Sequence, residues 1–491
     1  MPLIPLQLPP GVYRNGTDLQ SAGRWRDASL VRWTDGTMRP VGGWLTRVSM
    51  TDQPLRGALA WRDLSGNRWF VAGSHLGLFV SNAGNAVTNI TPASFVGGTK
   101  DASVNIGYGG SFYGTAAYGI ARPDTGTYAP VSTWSLDTWG EYLVACNPFD
   151  GRLLEWQLNT ANDAVAITNA PTGCDGLMVT EERFLFAFGP GGNFRRVQWS
   201  DREDNTLWTP DATNEAGDLE LQTAGQIMLG VRTRGQALIL TDQDAHTATY
   251  QGPPFVYGFE RVGSSCGAVS RLCAASVDAG VFWMGSQGFY TYAGGAVRDV
   301  ACEVADYVFG DINRPQASKV AAVANASFSE IWWFYPSSGS IENDRYVTYN
   351  YKENHWSTGS LARTSGVDVG IFTTPIWMTP AGLAVNHEIG NHTGGSEVFA
   401  ESGPVQIGTG DAVMSALMLI PDEKTQGQAT TTFRTRFHPN DVERTYGPYS
   451  MANPTDLRFT GRQISMRVTG AQNTDWRWGV PRVDVRQGGL R

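Results

Sequence analysis

Short runs of alternating apolar and polar residues fill most of this 491-residue chain. The clearest run lies near the C-terminus, where Ile464, Met466 and Val468 alternate with polar neighbours, and a second alternation covers residues 476–485. A period of two is typical of a half-buried β-strand. Helical spacing is rare and predicts one short helix around residues 302–309. The pattern as a whole predicts an all-β protein.

A unit of strands and turns repeats along the middle of the chain. From about residue 55, each unit spans roughly 40–50 residues and offers about four short strands, as a β-propeller blade does. Turn signals separate the strands, at Ser65-Gly66-Asn67, Asp150-Gly151, Gly191-Gly192-Asn193 and Arg234-Gly235. One blade cannot bury both of its faces, so blades stack around an axis. The repeat favours a propeller of about six blades over a pair of large β-sandwiches.

Composition shifts divide the chain into four parts. Residues 1–50 carry tryptophans between Gly-rich turns and are predicted to form an arm that packs along the propeller or completes a blade. Residues 51–385 are predicted to form the propeller, and residues 386–404, where hydrophobicity falls, a linker or crossover. Residues 405–491 alternate again, which predicts a separate C-terminal β-sandwich.

A Gly/Tyr-rich insert interrupts the propeller at residues 97–130. It holds too few aliphatic residues to build a core of its own, so it is predicted to be a long loop. Tyr108, Tyr113 and Tyr118 recur five residues apart, each followed by glycine. Two interpretations are open. The insert is a surface excursion without fixed structure, or it is a docking loop whose tyrosines supply contact area at low entropic cost.

Net charge and cysteine usage narrow the classes of function. The chain carries 37 lysines and arginines against 46 aspartates and glutamates, for a net charge of −9. This balance argues against a nucleic-acid binder held by phosphate contacts. From Arg434 onward the balance reverses, with ten arginines against five acidic residues. Five scattered cysteines without a CxxC pair are typical of buried thiols in a protein folded in a reducing cytoplasm. The first residues lack the basic start of a secretion signal.

Three groups of residues suggest chemistry, and each has a simpler explanation. His387 and His392 stand five apart in Gly-rich sequence rather than four apart on a helix, so a linker is favoured over a zinc site. The acidic clusters at 201–204 and 242–244 lack the spacing of an EF-hand and are predicted to cap turns. The aromatic runs at 282–283 and 332–335 are predicted to be core rather than a sugar-stacking platform. The sequence therefore nominates no catalytic, metal or cofactor-binding residue, and no enzyme activity is expected.

Four patches of the sequence, taken in order, resemble one family. They are the opening PPGVYRNGTDLQSAGRWRDASLVRWTDGTMRPVGGW, the Tyr-Gly loop at 108–119, GVFWMGSQGFYTYAGGAVRDV followed by VADYVFGDIN, and ESGPVQIGTGD with the closing GRQISMRV and WRWGVPRVDVRQGG. Together they resemble the tail nozzle, or tail hub, proteins of short-tailed bacteriophages. The resemblance implies a virion protein, made in the host cytoplasm, whose hexameric ring continues the DNA-ejection channel below the portal and adaptor rings. It also implies that tail fibres or spikes attach to the ring and that genomic DNA passes without sequence-specific contacts.

On this hypothesis the residues of interest lie at interfaces. Arg477, Arg482 and Arg486 are predicted to be docking cations in the basic C-terminal part, and the three tyrosines of the insert are predicted to be loop anchors. A carbohydrate-binding or glycoside-hydrolysing propeller is the alternative, and it would need two carboxylates about 5–10 Å apart in a central pocket. A cell-surface adhesin is a third hypothesis.

Overall fold

A ring of small antiparallel sheets forms the larger part of the molecule. The computed structural model describes residues 3–104, 128–406, 412–439 and 441–489. Within these residues, seven four-stranded sheets are arranged so that the first strand of each contacts the first strands of its two neighbours. These contacts close into a circle, because the first strand of the last sheet contacts the first strand of the first one. The fold is therefore an all-β propeller, as the sequence predicted.

The strands of each blade follow one another along the chain through tight hairpins. Blade 1 contains Leu55–Arg62, Arg68–Ser74, Leu78–Asn82 and Val87–Asn89; blade 2, Ser135–Trp139, Tyr142–Cys146, Leu153–Trp156 and Val165–Ala166; blade 3, Gly176–Val179, Leu185–Phe188, Arg196–Trp199 and Gly217–Glu220. Blade 4 contains Ile227–Thr233, Gln236–Thr241, Asp244–Gly252 and Val256–Ser264; blade 5, Ala274–Val277, Gly280–Met284, Phe289–Ala293 and Ala296–Val300; blade 6, Ala321–Asn325, Glu330–Tyr335, Arg345–Asn350 and His355–Ser360.

Blade 7 differs from the others, and it makes the predicted count of about six wrong by one. Its three inner strands are Ser365–Val367, Ile376–Met378 and Leu383–His387, which are short and carry a weak repeat signal. Its outer strand is Trp44–Ser49, which pairs antiparallel with Leu383–His387. Because this strand comes from the other end of the chain, no local pattern reveals the blade. The pairing joins the two ends of the ring.

The second unit is a β-sandwich built from both ends of the chain. One sheet contains, in spatial order, Leu3–Pro5, Arg482–Gln487, Met414–Ile420 and Thr455–Gly461. The other contains Trp25–Ser29, Phe399–Ser402, Gln463–Gly470, Ala429–Arg436 and Arg444–Ser450, with Val405–Gln406 beside Gln463–Gly470. The first alternation predicted near the C-terminus is therefore a strand. The second begins only at residue 482. Before it, Trp476 and Trp478 are buried, and Trp478 forms an isolated backbone bridge to Met38.

The arm and the sandwich share a hydrophobic core with the propeller. One cluster of buried side chains extends from the sandwich through the arm into blades 4 to 7. The remaining elements are the hairpin Val31–Thr34 and Thr37–Pro40, the ribbon Ser103–Val104 and Tyr128–Ala129, the helix Ala305–Asp311, and the 3-10 turns Asp18–Ser21, Pro190–Gly192, Arg314–Lys319 and Ala326–Phe328. The short helix is confirmed. So is the burial of the aromatic runs at 282–283 and 332–335, in which no side chain is more than 6% exposed.

A buried ion-pair network fixes the arm to the propeller. Arg32 donates to Glu330 at 2.8 and 3.0 Å and to Glu388 at 2.6 and 2.9 Å, and its side chain is only 3% exposed. The Trp332 indole also donates to Glu330, at 3.0 Å. The guanidinium lies 3.6 Å from the centre of the Phe328 ring. Since two carboxylates and one cation are enclosed together, each depends on the others for compensation.

Candidate functional sites: the axial mouth and the sandwich surfaces

A cavity of about 510 Å³ opens at the end of the propeller axis where the first strands begin. We call this opening the axial mouth. Its lining comes from the connections that lead into blades 2 to 6 and from the hairpin turns of blades 2 and 4. The lining is mixed: Phe149 and Tyr128 contribute aromatic rings, whereas Asp175, Gln226, Asp242, Arg271, Thr133 and Ser318 contribute polar groups.

The polar residues of the axial mouth are connected across three blades. The Gln226 side chain donates to Asp175 Oδ2 at 3.2 Å, and the Gln226 backbone amide donates to Asp242 Oδ1 at 2.8 Å. Arg271 lies 3.2 Å from Asp175 Oδ1 and donates to the Asp175 carbonyl at 2.7 Å. The two carboxylates therefore share one glutamine, and only Asp175 is paired with a cation here. Carboxylates and amides beside aromatic rings offer hydrogen bonds and a flat apolar face to a polyhydroxylated ligand.

The stem of the Gly/Tyr insert stands beside the axial mouth. Gln316 exchanges two hydrogen bonds with the backbone of Ala102, at 2.7 and 3.1 Å, and Ser318 accepts one from the Val131 amide at 3.2 Å. The buried Lys319 ammonium contacts Asp101 at 2.5 Å and donates to the Ile341 carbonyl at 2.7 Å. Burial lowers the pKa of Lys319, although Glu342 and Asp101 oppose that shift. These contacts fix the base of the insert. Its predicted anchors Tyr108, Tyr113 and Tyr118 lie outside the described residues.

The histidines that suggested a zinc site do not converge. His387 is buried and stacks on Trp377, with ring centres 3.9 Å apart, and accepts a hydrogen bond from Arg363 at 2.9 Å. Burial, and then the neighbouring Arg363 and Arg32 cations, hold the pKa of His387 well below its usual range. His392 instead lies 3.1 Å from Asn473 of the sandwich. The two rings therefore have separate structural roles at the junction of blade 7 and the sandwich.

The acidic clusters accept hydrogen bonds in turns, as the sequence predicted. Asp204 accepts from both the amide and the hydroxyl of Thr206, at 2.8 and 2.6 Å. Asp201 accepts from the Glu215 amide at 2.8 Å, and Asp244 accepts from the Thr223 hydroxyl at 2.8 Å. Asp201 and Asp204 hold residues of their own blade, and Asp244 holds the connection between blades 3 and 4. Within the described part of the chain, no group of three or more potential metal ligands is found.

The three arginines predicted to be docking cations all lie in the sandwich. Arg482 and Arg486 sit on one strand of the four-stranded sheet and are exposed on its outer face, because the alternating Val483 and Val485 point inward. Arg477 precedes that strand and forms an ion pair with Asp475. Arg458, which the sequence did not single out, is exposed on the same sheet. The outer face thus combines cations with the partly exposed apolar side chains of Met414–Ile420.

A second cavity, of about 220 Å³, lies between the two sheets of the sandwich. We call it the arm groove, because Ile4, Leu6 and Leu8 of the N-terminal arm line one side of it. The opposite walls are apolar and include Phe433, Phe459, Met466, Val483 and Val485. The arm side chains remain only half-buried. The groove is therefore an apolar surface that the arm fills incompletely.

Reasoning from sequence missed the residues of the axial mouth. Asp175 and Gln226 each come directly before the first strand of a blade, and Arg271 comes three residues before one. They are separated by about 50 residues, which is one blade length. An alignment of the repeats would pair Asp175 with Gln226 at this position, but it would not include Arg271. Without the ring, nothing indicates that these entries meet at the axis.

Comparisons with known proteins identify no family for this chain. No protein-family model matches the chain, and no curated protein matches it. Among solved structures, it is similar to the selenomethionine-substituted virginiamycin B lyase from Staphylococcus aureus, with 8% identity and a TM-score of 0.42 over 70% of this chain and 97% of that one. It is also similar to a streptogramin B lyase, with 9% identity and a TM-score of 0.40 over 70% and 96% of the two chains. An exo-beta-1,3-galactanase from Phanerochaete chrysosporium shows 10% identity and a TM-score of 0.29 over 91% and 100%. Identities this low carry no argument about function.

Among the described residues, no helix is long and apolar enough to span a membrane.

Proposed function

We propose that this chain is a structural, non-catalytic subunit of a tail nozzle ring in a short-tailed bacteriophage. The proposal starts from the four sequence patches that resemble that family. It gains support from one structural observation: a propeller and a sandwich that share a core differ in charge. Residues 44–387 hold 21 lysines and arginines against 32 acidic residues, whereas the rest of the chain holds 16 against 14.

Such a difference suits a ring. Subunits that join head to tail present two different surfaces to each other, and the ring closes when these surfaces are complementary. An acidic propeller of net −11 and a sandwich bearing the exposed Arg482 and Arg458 offer one such pair. Charge complementarity of this kind favours encounter and orientation. An overall negative charge also suits a DNA conduit, because it avoids the counterion-releasing phosphate contacts that would retard the passing genome.

The oligomeric state of the purified full-length chain tests this proposal. The purified chain is measured alone and together with the portal and adaptor rings. We expect native mass spectrometry and light scattering to show that it forms a ring. Electron microscopy should show six-fold class averages with an open centre. Since the complementary surfaces are charged, the ring should weaken as salt rises. A strict monomer under all these conditions would overturn the proposal.

A second candidate function follows from the axial mouth, which suits a sugar. Asp175, Gln226 and Asp242 lie beside Phe149 at a mixed polar and aromatic opening. A glycan array, followed by a hydrolysis assay on any bound glycan, would detect this activity. Asp242→Asn should abolish binding, whereas Asp218→Asn, on the outer strand of blade 3, should leave it unchanged. Turnover by the unmodified chain would favour the glycosidase alternative over the purely structural role.

A further inference from the structure

Few backbone hydrogen bonds attach the first residues of the arm to the sandwich. Leu3–Pro5 pairs with Arg482–Gln487 over three residues, at the edge of the sheet. The Leu6 amide donates one more hydrogen bond, to the Pro481 carbonyl at 2.9 Å. In the described part of the chain, no backbone hydrogen bond holds residues 7–11. Bonding resumes at Val12, whose amide donates to the Trp356 carbonyl at 2.7 Å.

The surface beneath this strand recognises only a simple pattern. Ile4, Leu6 and Leu8 point into the arm groove, while the residues between them are exposed. The groove offers apolar walls and the backbone of one edge strand, so it selects an extended segment with an apolar residue at every second position. Any segment with that pattern fits, and an identical arm from another copy of this chain fits equally well.

Residues 7–11 join the first residues of the arm to blade 6, and their length limits how far those residues can reach. Gly11 has a φ of +88°, and a Cβ at this position would lie 2.7 Å from the Cβ of His355, so glycine is required where the chain passes blade 6. Pro9 and Pro10 keep residues 7–11 extended. The six-residue step from Leu6 to Val12 spans at most about 20 Å. A groove on another copy is within reach if it lies within that distance of Val12.

We propose that in the assembled ring residues 3–8 of each copy occupy the arm groove of the neighbouring copy. This inference rests on the ring-forming function proposed above. Exchange replaces contacts within one chain by the same contacts between two chains, which makes it a low-cost route to association. The arm and the groove are different surfaces, so each copy donates to one neighbour and accepts from the other. Inside a ring the acceptor is held close by, which raises its effective concentration.

Disulfide trapping between two singly substituted variants tests the exchange. Ile4 and Val483 are register partners, so Ile4→Cys and Val483→Cys place one thiol on the arm and one on the groove. The two variants are mixed as monomers, allowed to assemble, and oxidised. A disulfide between them requires that the arm of one chain lie in the groove of another. We expect linked dimers on a non-reducing gel.

The control uses a pair that belongs to a single chain. Ser415 and Thr460 are register partners in the same sheet, away from the arm, so a mixture of Ser415→Cys and Thr460→Cys should give no linked dimers. If Ile4→Cys or Val483→Cys fails to fold, Leu3→Cys and Asp484→Cys supply a second register pair on the outer face.

The outcomes separate the exchange from the ring. A ring in which the arm mixture gives no more linked dimers than the control overturns arm exchange and leaves the ring function intact. In that case the double variant Ile4→Cys/Val483→Cys closes its disulfide within one chain. A protein that stays monomeric by light scattering overturns both the ring and the exchange.

Discussion

The propeller and the sandwich are both antiparallel β-structure, but they are assembled from different parts of the chain. Each of blades 1 to 6 uses four consecutive strands joined by hairpins, so most of its pairings are local. The sandwich pairs Leu3–Pro5 with Arg482–Gln487 and Trp25–Ser29 with Phe399–Ser402. Such pairings require closure of very long loops, and they are entropically costly until the rest of the structure holds the two ends together. The propeller is therefore the scaffold on which the sandwich is completed.

The two regions also differ in how tightly they are packed. All six residues of Glu330–Tyr335 in blade 6 are buried. Leu3–Pro5 is half-buried at best, beside a cavity of about 220 Å³. An exposed edge strand beside a cavity contributes less stability than a buried central strand. The difference teaches that the sandwich, which is the region predicted to dock, also has an incompletely packed edge strand.

Removing the buried cation that fixes the N-terminal arm, which contributes strands to the sandwich, to the propeller should have the largest effect. Arg32→Ala leaves Glu330 and Glu388 enclosed without their partner, so we expect a loss of about 3–5 kcal/mol in the free energy of unfolding. Urea denaturation followed by tryptophan fluorescence measures it. Arg196→Ala, which breaks an exposed ion pair with Asp218, is the control and should cost about 0–1 kcal/mol. Equal losses would show that the buried network does not stabilise the junction of the arm and the propeller.

A pair of isoleucine truncations compares the packing of the two regions directly. Ile331→Ala opens a cavity in the fully buried strand Glu330–Tyr335 of blade 6 and should cost about 2–5 kcal/mol. Ile4→Ala removes a half-buried side chain that already borders a void, so the loss should be roughly 1 kcal/mol. Both are measured by the same urea titration. A larger loss for Ile4→Ala would contradict the view that the arm is loosely held.

Acid should destabilise the junction of blade 7 and the sandwich. The pKa of His387 is lowered in the folded protein. Below about pH 6.5, His387 therefore binds a proton in the unfolded chain but not in the folded chain. Stability due to this group is present at neutral pH and falls by up to about 1.4 kcal/mol per pH unit as the pH drops.

The slope of unfolding free energy between pH 7 and pH 5 measures this effect. His387→Gln should make it shallower, because the titrating group is gone. His438→Gln, at an exposed position of the sandwich, should leave the slope unchanged. His75 and His355 also have lowered pKa values, so a residual slope remains in both variants.

The smallest effect on stability is expected at the exposed docking cations. Arg482 and Arg486 lie on the outer face of the sheet. Each of the substitutions Arg482→Glu and Arg486→Glu should change the free energy of unfolding by less than about 0.5 kcal/mol. Assembly should respond more strongly, since the charge that faces an acidic neighbour is reversed. Light scattering at low salt reports ring formation. If both variants form rings as stable as those of the unmodified chain, these arginines do not lie at the interface between subunits.

Alternation, turn residues and blade-length repeats determined the class of the protein from sequence alone. The six local blades, the Asp150-Gly151 hairpin, the short helix and the burial of residues 332–335 follow from patterns within a few dozen residues, because hairpins and side-chain periodicity are local properties. The resemblance to tail nozzle proteins likewise came from the sequence.

Only the tertiary structure decided which distant segments meet. Trp44–Ser49 closes blade 7, Leu3–Pro5 completes the sandwich, and Asp175, Gln226 and Arg271 gather at the axial mouth. The sequence predicts an arm over residues 1–50, but it does not show which strands the arm pairs with. A strand pairs with a distant strand whose edge is unpaired and which the rest of the fold brings near. An alternating pattern of apolar and polar residues does not specify that partner.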